Sequence, residues 1–93
     1  MKNINKISIA KKVIKEESIA LVKIANKIGH DFEKVCDIIL NCKGKVITIG
    51  LGKSGHVAQK ASATFSSTGT PSIFLHAAEA LHGDMGLVTK SDI

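Results

Sequence analysis

The chain has 93 residues, 44% of them hydrophobic, with three Phe and no Trp or Tyr, so it can hold one small domain with a largely aliphatic core. All 13 basic residues are lysines, set against eight acids for a formal charge of +5, and seven of them precede Gly29; with no Arg and no aromatic residue among them, they suit the solvated side of a helix better than a nucleic-acid arm. No stretch reaches the ~20 apolar residues of a membrane span, no secretory leader is evident, and Cys36 and Cys42 form no metal or disulfide pattern, which makes the cytoplasm the expected compartment.

In chain order, Ile7, Ala10, Ile14, Leu21, Ile24, Ala25 and Ile28 recur at three and four residues, predicting one long amphipathic helix that Gly29 ends. Asp31 is placed to cap a second helix with Phe32, Val35, Cys36, Ile39 and Leu40 as its apolar stripe, stopped by Gly44. A first strand is expected from Lys45 to Ile49, β-branched and buried on both faces. The glycine-rich turn Gly50-Leu51-Gly52-Lys53-Ser54-Gly55 follows, then a third helix to Ser67 whose Val57, Ala61 and Phe65 would face the sheet. Gly69 and Pro71 punctuate the chain before a second strand, Ser72 to Leu75, a short helix over Ala77 to Leu81 and a glycine-rich turn. Strand, helix, strand at this spacing is a right-handed βαβ unit with a parallel pair. The expected organisation is therefore α/β, with N-terminal helices over residues 1–44 and the βαβ part over 45–93.

The turn after the first strand carries the chemistry. Gly50 and Gly52 allow a sharp bend and a close approach to a ligand. The N–H groups that open the next helix face whatever the turn holds, and such a site takes anions, phosphate above all. Lys53 adds a mobile cation and Ser54 a hydroxyl. Two familiar phosphate loops fit poorly. A P-loop needs a glycine five residues before the Gly-Lys-Ser triplet, where Ile47 stands. Gly50, Gly52 and Gly55 do match the dinucleotide fingerprint, but its partner acid at the end of the second strand is missing, since Ser72-Ile73-Phe74-Leu75 runs into His76 and the next acid is Glu79.

Three separated motifs, Gly50 through Gly-Lys-Ser-Gly-His, Ala63-Thr64-Phe65-Ser66-Ser67-Thr68-Gly69-Thr70-Pro71, and His76-Ala77-Ala78-Glu79-Ala80-Leu81-His82-Gly83-Asp84-Met85-Gly86, resemble in order and content the sugar isomerase (SIS) domain of D-arabinose-5-phosphate isomerases. That resemblance implies a flavodoxin-like sandwich of about five parallel strands between helices; the present chain would be its first half, truncated before the third strand. It also implies interconversion of D-ribulose 5-phosphate and D-arabinose 5-phosphate, on the route to the acid sugar Kdo of lipopolysaccharide, in a homo-oligomer that is a tetramer in the family. The partner would be a small sugar phosphate, with neither nucleic acid nor membrane.

Moving a proton between C2 and C1 through an enediolate needs a base, an electrophile and a phosphate clamp, and requires no cofactor. Lys53 matches the lysine of the family's G-x-G-K-S-G motif and is expected to neutralise a phosphate or an enediolate. His82 corresponds to a substrate-site histidine, and an imidazole can titrate near neutrality, as proton shuttling or ring opening requires. Gly52, Ser54 and Gly55 are expected to bind substrate, as are Gly69 and Thr70; Glu79, three residues before His82, would orient it or act as a carboxylate base. The counterpart of His76 in the family is associated with an inhibitory zinc. The other reading is a non-catalytic phosphosugar-binding module, regulator or inactive remnant; a DNA-reading sensor is disfavoured because no convincing helix-turn-helix precedes the glycine turn.

Overall fold

In the computed structural model, which describes residues 3–93, the described residues fall into two compact units that divide between Glu33 and Lys34. The first unit holds helix α1 (Lys6–Lys27) and the opening of helix α2 (His30–Leu40). Asn5 caps α1, its side-chain oxygen accepting the Ser8 N–H at 3.0 Å, and Lys27 sits in the last turn, where a cation complements the helix dipole. Helix α1 ends because Ile28 turns extended (φ −68°, ψ 126°), not through a left-handed Gly29, which keeps an ordinary φ. Asp31 does not cap α2 as expected. The helix already starts at His30, Phe32 N–H reaches Gly29 C=O, and Asp31 and Glu33 lie within the first turn, where acids still favour the dipole.

The second unit is built on strands β1 (Val46–Gly50) and β2 (Ser72–His76), paired in parallel with Val46 opposite Ser72 and Gly50 opposite His76. Helix α3 (Gly52–Ser67) connects them and lies against one face of the pair. Thr48 Oγ1 donates to Ala58 C=O at 2.8 Å, the Ser62 and Ser72 hydroxyls meet at 2.9 Å, and Ser66 Oγ donates to Ser72 C=O at 3.1 Å. The packed face of α3 is therefore Gly55, Ala58 and Ser62. Val57, expected to face the sheet, points outward and is 69% exposed. Small residues won this face because hydroxyl pairing and close backbone approach replace bulk there.

Apolar burial is slight: only Val46 (7% exposed) and Leu75 (2%) among the described hydrophobic residues are buried, and Ile49, on the strand face away from α3, is 49% exposed. The expectation of a first strand buried on both faces is thus not met. A second support holds β1 from its other edge. Ile93 N–H donates to Lys45 C=O at 3.2 Å and Ile47 N–H to Ile93 C=O at 2.8 Å, the hydrogen-bond pattern of one parallel rung. β1 thereby lies between β2 and Ile93.

Asp92 anchors that rung. Its carboxylate accepts from the Lys45 N–H at 2.8 Å, the Lys45 ammonium at 2.8 Å and the Thr89 N–H at 2.7 Å. Gly44 admits the segment, since a Cβ there would lie 2.7 Å from Ser91 backbone atoms. The Lys45 contacts, with the Thr89 N–H, hold the Asp92 carboxyl well below the usual carboxylate range. A depressed carboxyl adds stability at pH values above its unfolded value, near 4, that fades as pH falls through and below that value.

Helix α4 (Ala77–Ala80) and a 3₁₀ turn (Asp84–Leu87) follow β2. Ile7, Ile14, Leu21, Phe32, Val57 and Leu81 are among many large apolar side chains left exposed, far more than an isolated monomer normally tolerates. The 93-residue chain should therefore self-associate. Sedimentation velocity with circular dichroism checks this: species larger than a monomer are expected, and a monomer with a sharp cooperative melt would contradict it.

Candidate functional site

The parallel register sets the C-terminal ends of β1 and β2 side by side, Gly50 opposite His76, at the end of an open sheet where ligands collect. Helix α3 starts sooner than the glycine pattern suggests. Gly55 N–H reaches Leu51 C=O at 3.3 Å, so Gly52, Lys53 and Ser54 form the first helical turn and Leu51 alone links strand to helix. Gly52 makes the bend with φ +61°, a left-handed conformation that suits glycine. Gly50 and Gly55 then touch backbone to backbone: a Cβ on Gly50 would lie 2.7 Å from Gly55 Cα, and one on Gly55 would lie 3.1 Å from the Gly50 carbonyl carbon.

This end of α3 is electrically open. Leu51, at the N-cap position, supplies no side-chain acceptor, and no acid lies in the first turn. Lys53, exposed, has no hydrogen-bonding or ionic partner among the described residues. A lysine beside the positive end of a helix is unfavourable on its own. An anion seated on the N–H groups of Gly52, Lys53 and Ser54 resolves both.

Beside this turn lies a cleft of about 110 Å³ lined by Gly52, Gly55, His56, Gln59, Phe74 and His76. One of the expected residues is fixed there by a hydrogen bond. His76 Nδ1 accepts the Ala78 N–H at 3.2 Å and so caps α4. A neutral ring accepting at Nδ1 carries its proton on Nε2. Among the described residues no three His, Cys, Asp or Glu side chains are grouped to hold a metal. These residues alone do not supply the four or so ligands of a closed zinc site.

Of the other expected residues, Gly52 and Gly55 also line the cleft, whereas Glu79, His82, Gly69 and Thr70 lie outside its lining. His82 is exposed one turn past α4, its N–H donating to Glu79 C=O at 3.0 Å; the two side chains share no hydrogen bond among the described residues. Gly69 and Thr70 do not join the site within this chain. They follow the C-terminal end of α3, where Thr70 N–H donates to Phe65 C=O at 2.8 Å, and the 16 residues of α3 separate them from Gly52 by roughly 24 Å. Of the other lining residues, His56 reads from sequence as a helix-start residue rather than a catalyst, and Gln59 is not singled out. Their signal was the spacing Gly52, Gly55, His56, Gln59, which is one helical stripe once α3 is known to begin at Gly52.

The SIS domain family matches residues 39–93, and the chain belongs to that family. It is 50% identical over 91 residues to the arabinose 5-phosphate isomerase KdsD of Pseudomonas aeruginosa, covering 98% of this chain and 28% of that protein. To the arabinose 5-phosphate isomerase KpsF of Escherichia coli it is 47% identical over 88 residues, covering 94% of this chain and 27% of the relative. The chain thus spans little more than a quarter of the length of these curated relatives. An Escherichia coli CFT073 protein solved in complex with arabinose 5-phosphate superposes on all of this chain and 50% of its own, at 42% identity and a TM-score of 0.91.

If the Gly50–Gly55 contact sets the site, Gly50→Ala should destabilise the chain by about 1–3 kcal/mol through overpacking. Gly29→Ala, with nothing within 4 Å of its Cβ and no positive φ, should be neutral or stabilising by up to ~1 kcal/mol. Urea unfolding at one fixed concentration compares the two; equal effects would contradict the contact.

Proposed function

We propose that this chain is the phosphate-binding part of an aldose–ketose isomerase that interconverts D-arabinose 5-phosphate and D-ribulose 5-phosphate in the cytoplasm, supplying the synthesis of Kdo. The observation that carries this reading is the relative solved with arabinose 5-phosphate, which matches the whole chain at 42% identity and a TM-score of 0.91. The uncapped, acid-free start of α3 beside Lys53 is consistent with it, because that end of the helix suits a phosphate monoester.

In this reaction the C2 proton leaves and its electron pair forms the C1–C2 double bond, putting negative charge on O1. A proton passes between the two oxygens, and another returns at C1 to leave a ketone at C2. In our reading the N–H groups of Gly52, Lys53 and Ser54, with the Ser54 hydroxyl, hold the phosphate, while Gly55 keeps the turn close to β1. Lys53 neutralises the phosphate or the developing oxyanion. His82 moves protons or opens the sugar ring, and Glu79 orients it. The exposed aliphatic side chains fit a homo-oligomer, a tetramer by family resemblance.

The test places residues 1–93 in the matching segment of the Pseudomonas aeruginosa relative and follows conversion of arabinose 5-phosphate to ribulose 5-phosphate. The chimera should turn over. Lys53→Ala in that chimera should lower kcat by about 10²–10³ with unchanged circular dichroism; activity within about threefold would make Lys53 an ordinary surface lysine. A chimera that binds arabinose 5-phosphate without converting it would favour the non-catalytic binding module.

His82→Asn should depress turnover by about 10²–10⁴ and leave most of the phosphate affinity intact. Lost binding with unchanged turnover at saturation would make His82 a substrate clamp.

A further inference from the structure

The cleft beside the glycine turn has a composition that the phosphate site does not explain. Gly52, Gly55, His56 and Gln59 fall at i, i+3, i+4 and i+7 along α3 and so form one stripe. Phe74 and His76 alternate on one face of β2 and make the opposite wall. The Gly50–Gly55 contact draws these walls together, with Phe74 Cζ 3.7 Å from where a Gly55 Cβ would stand. No acid and no lysine lines the space.

Its polar groups are unspent. The side chains of His56 and Gln59 make no hydrogen bond among the described residues, whereas Ser62, Thr64, Ser66 and Ser67 of the same helix are engaged. His76, which also lines the cleft, is held through Nδ1 by Ala78 N–H, which leaves Nε2–H as the free donor of a neutral ring. About 110 Å³ holds roughly three or four water-sized groups, room for a short run of hydroxyl-bearing carbons. Gly52 belongs both to this cleft and to the first turn of α3, so a ligand anchored there by its phosphate extends its uncharged part past Gly55 toward His56 and Gln59.

We propose that His56 and Gln59, with the Nε2–H of His76, form a hydroxyl-reading subsite that determines which phosphorylated sugar the loop accepts. This inference rests on the phosphate-loop reading above and adds to it the residues that contact the sugar. The imidazole and the amide can each donate and accept, which matches a chain of hydroxyls that do the same. Phosphate affinity comes from the helix turn; discrimination among phosphates comes from the cleft.

The test uses Gln59→Leu and His56→Phe in the active chimera, and both substituted side chains are exposed, so folding should be little affected. The readouts are KM for arabinose 5-phosphate and the inhibition constant of inorganic phosphate. Each variant should raise KM by about 3–10-fold, the loss of one neutral hydrogen bond, while phosphate inhibition stays within about twofold. Unchanged KM in both variants, with phosphate still inhibiting, overturns the subsite alone. Parallel weakening of phosphate and sugar phosphate also overturns it, because the residues would then support the loop rather than read hydroxyls. If inorganic phosphate fails to inhibit the unsubstituted chimera, the phosphate loop itself is wrong and the subsite falls with it.

Discussion

The contact between Gly50 and Gly55 is the constraint on which the site depends. A side chain on Gly50 would lie within 2.7 Å of Gly55 Cα, so the end of β1 and the first turn of α3 meet as bare backbone. That closeness leaves only Leu51 between strand and helix, with φ +61° at Gly52 making the bend. The open N–H groups of α3 consequently stand at the C-terminal edge of the sheet, beside His76 on the neighbouring strand. Were α3 held away by even a methyl group, the stripe from Gly52 to Gln59 would separate from Phe74 and His76, and the cleft between them would widen.

Helix α3 is held on the strands mainly by polar and small groups. Thr48 to Ala58, Ser62 to Ser72 and Ser66 to Ser72 are hydrogen-bonded contacts, each directional and each worth on the order of 1 kcal/mol net. Such contacts fix the helix in rotation and register, which suits a helix whose N-terminus must aim at a ligand. They contribute little apolar burial, and the exposed faces of α1, α2 and α3 show how much stabilising surface remains for other contacts. At the opposite end of β1, the Asp92 carboxylate gathers Lys45 and Thr89 donors and sets Ile93 against the strand.

Much of this was legible in the sequence. The order of helices and strands, the parallel pair and the glycine turn followed from periodicity and punctuation, because Val46 to Ile49 can be little else than a strand and eight glycines mark most of the turns. The packed face of α3 was legible only in part, since Ala61 and Phe65 are half-buried but Val57 is exposed. Hydrophobic spacing favoured Val57, Ala61 and Phe65, but hydroxyl pairing chose Ser62 and close approach chose Gly55. Asp31 had the composition of a cap, yet the helix began one residue earlier, a boundary that local pattern rarely resolves. Gly69 and Thr70 were expected at the site only through the family resemblance, and α3 carries them to its far end in this chain. His56 read as a helix-start residue and Gln59 was not singled out, because Gly52 and Gly55 read as loop and not as part of α3.

The central claim is that the first turn of α3 receives the phosphate of a sugar phosphate. The most direct measurement is a crystal structure of the active chimera with arabinose 5-phosphate bound. The account predicts phosphate oxygens about 3 Å from the N–H groups of Gly52, Lys53 and Ser54, with the sugar carbons running toward His56 and Gln59. A phosphate seated away from α3, or a sugar whose hydroxyl end occupies that first turn, would contradict it.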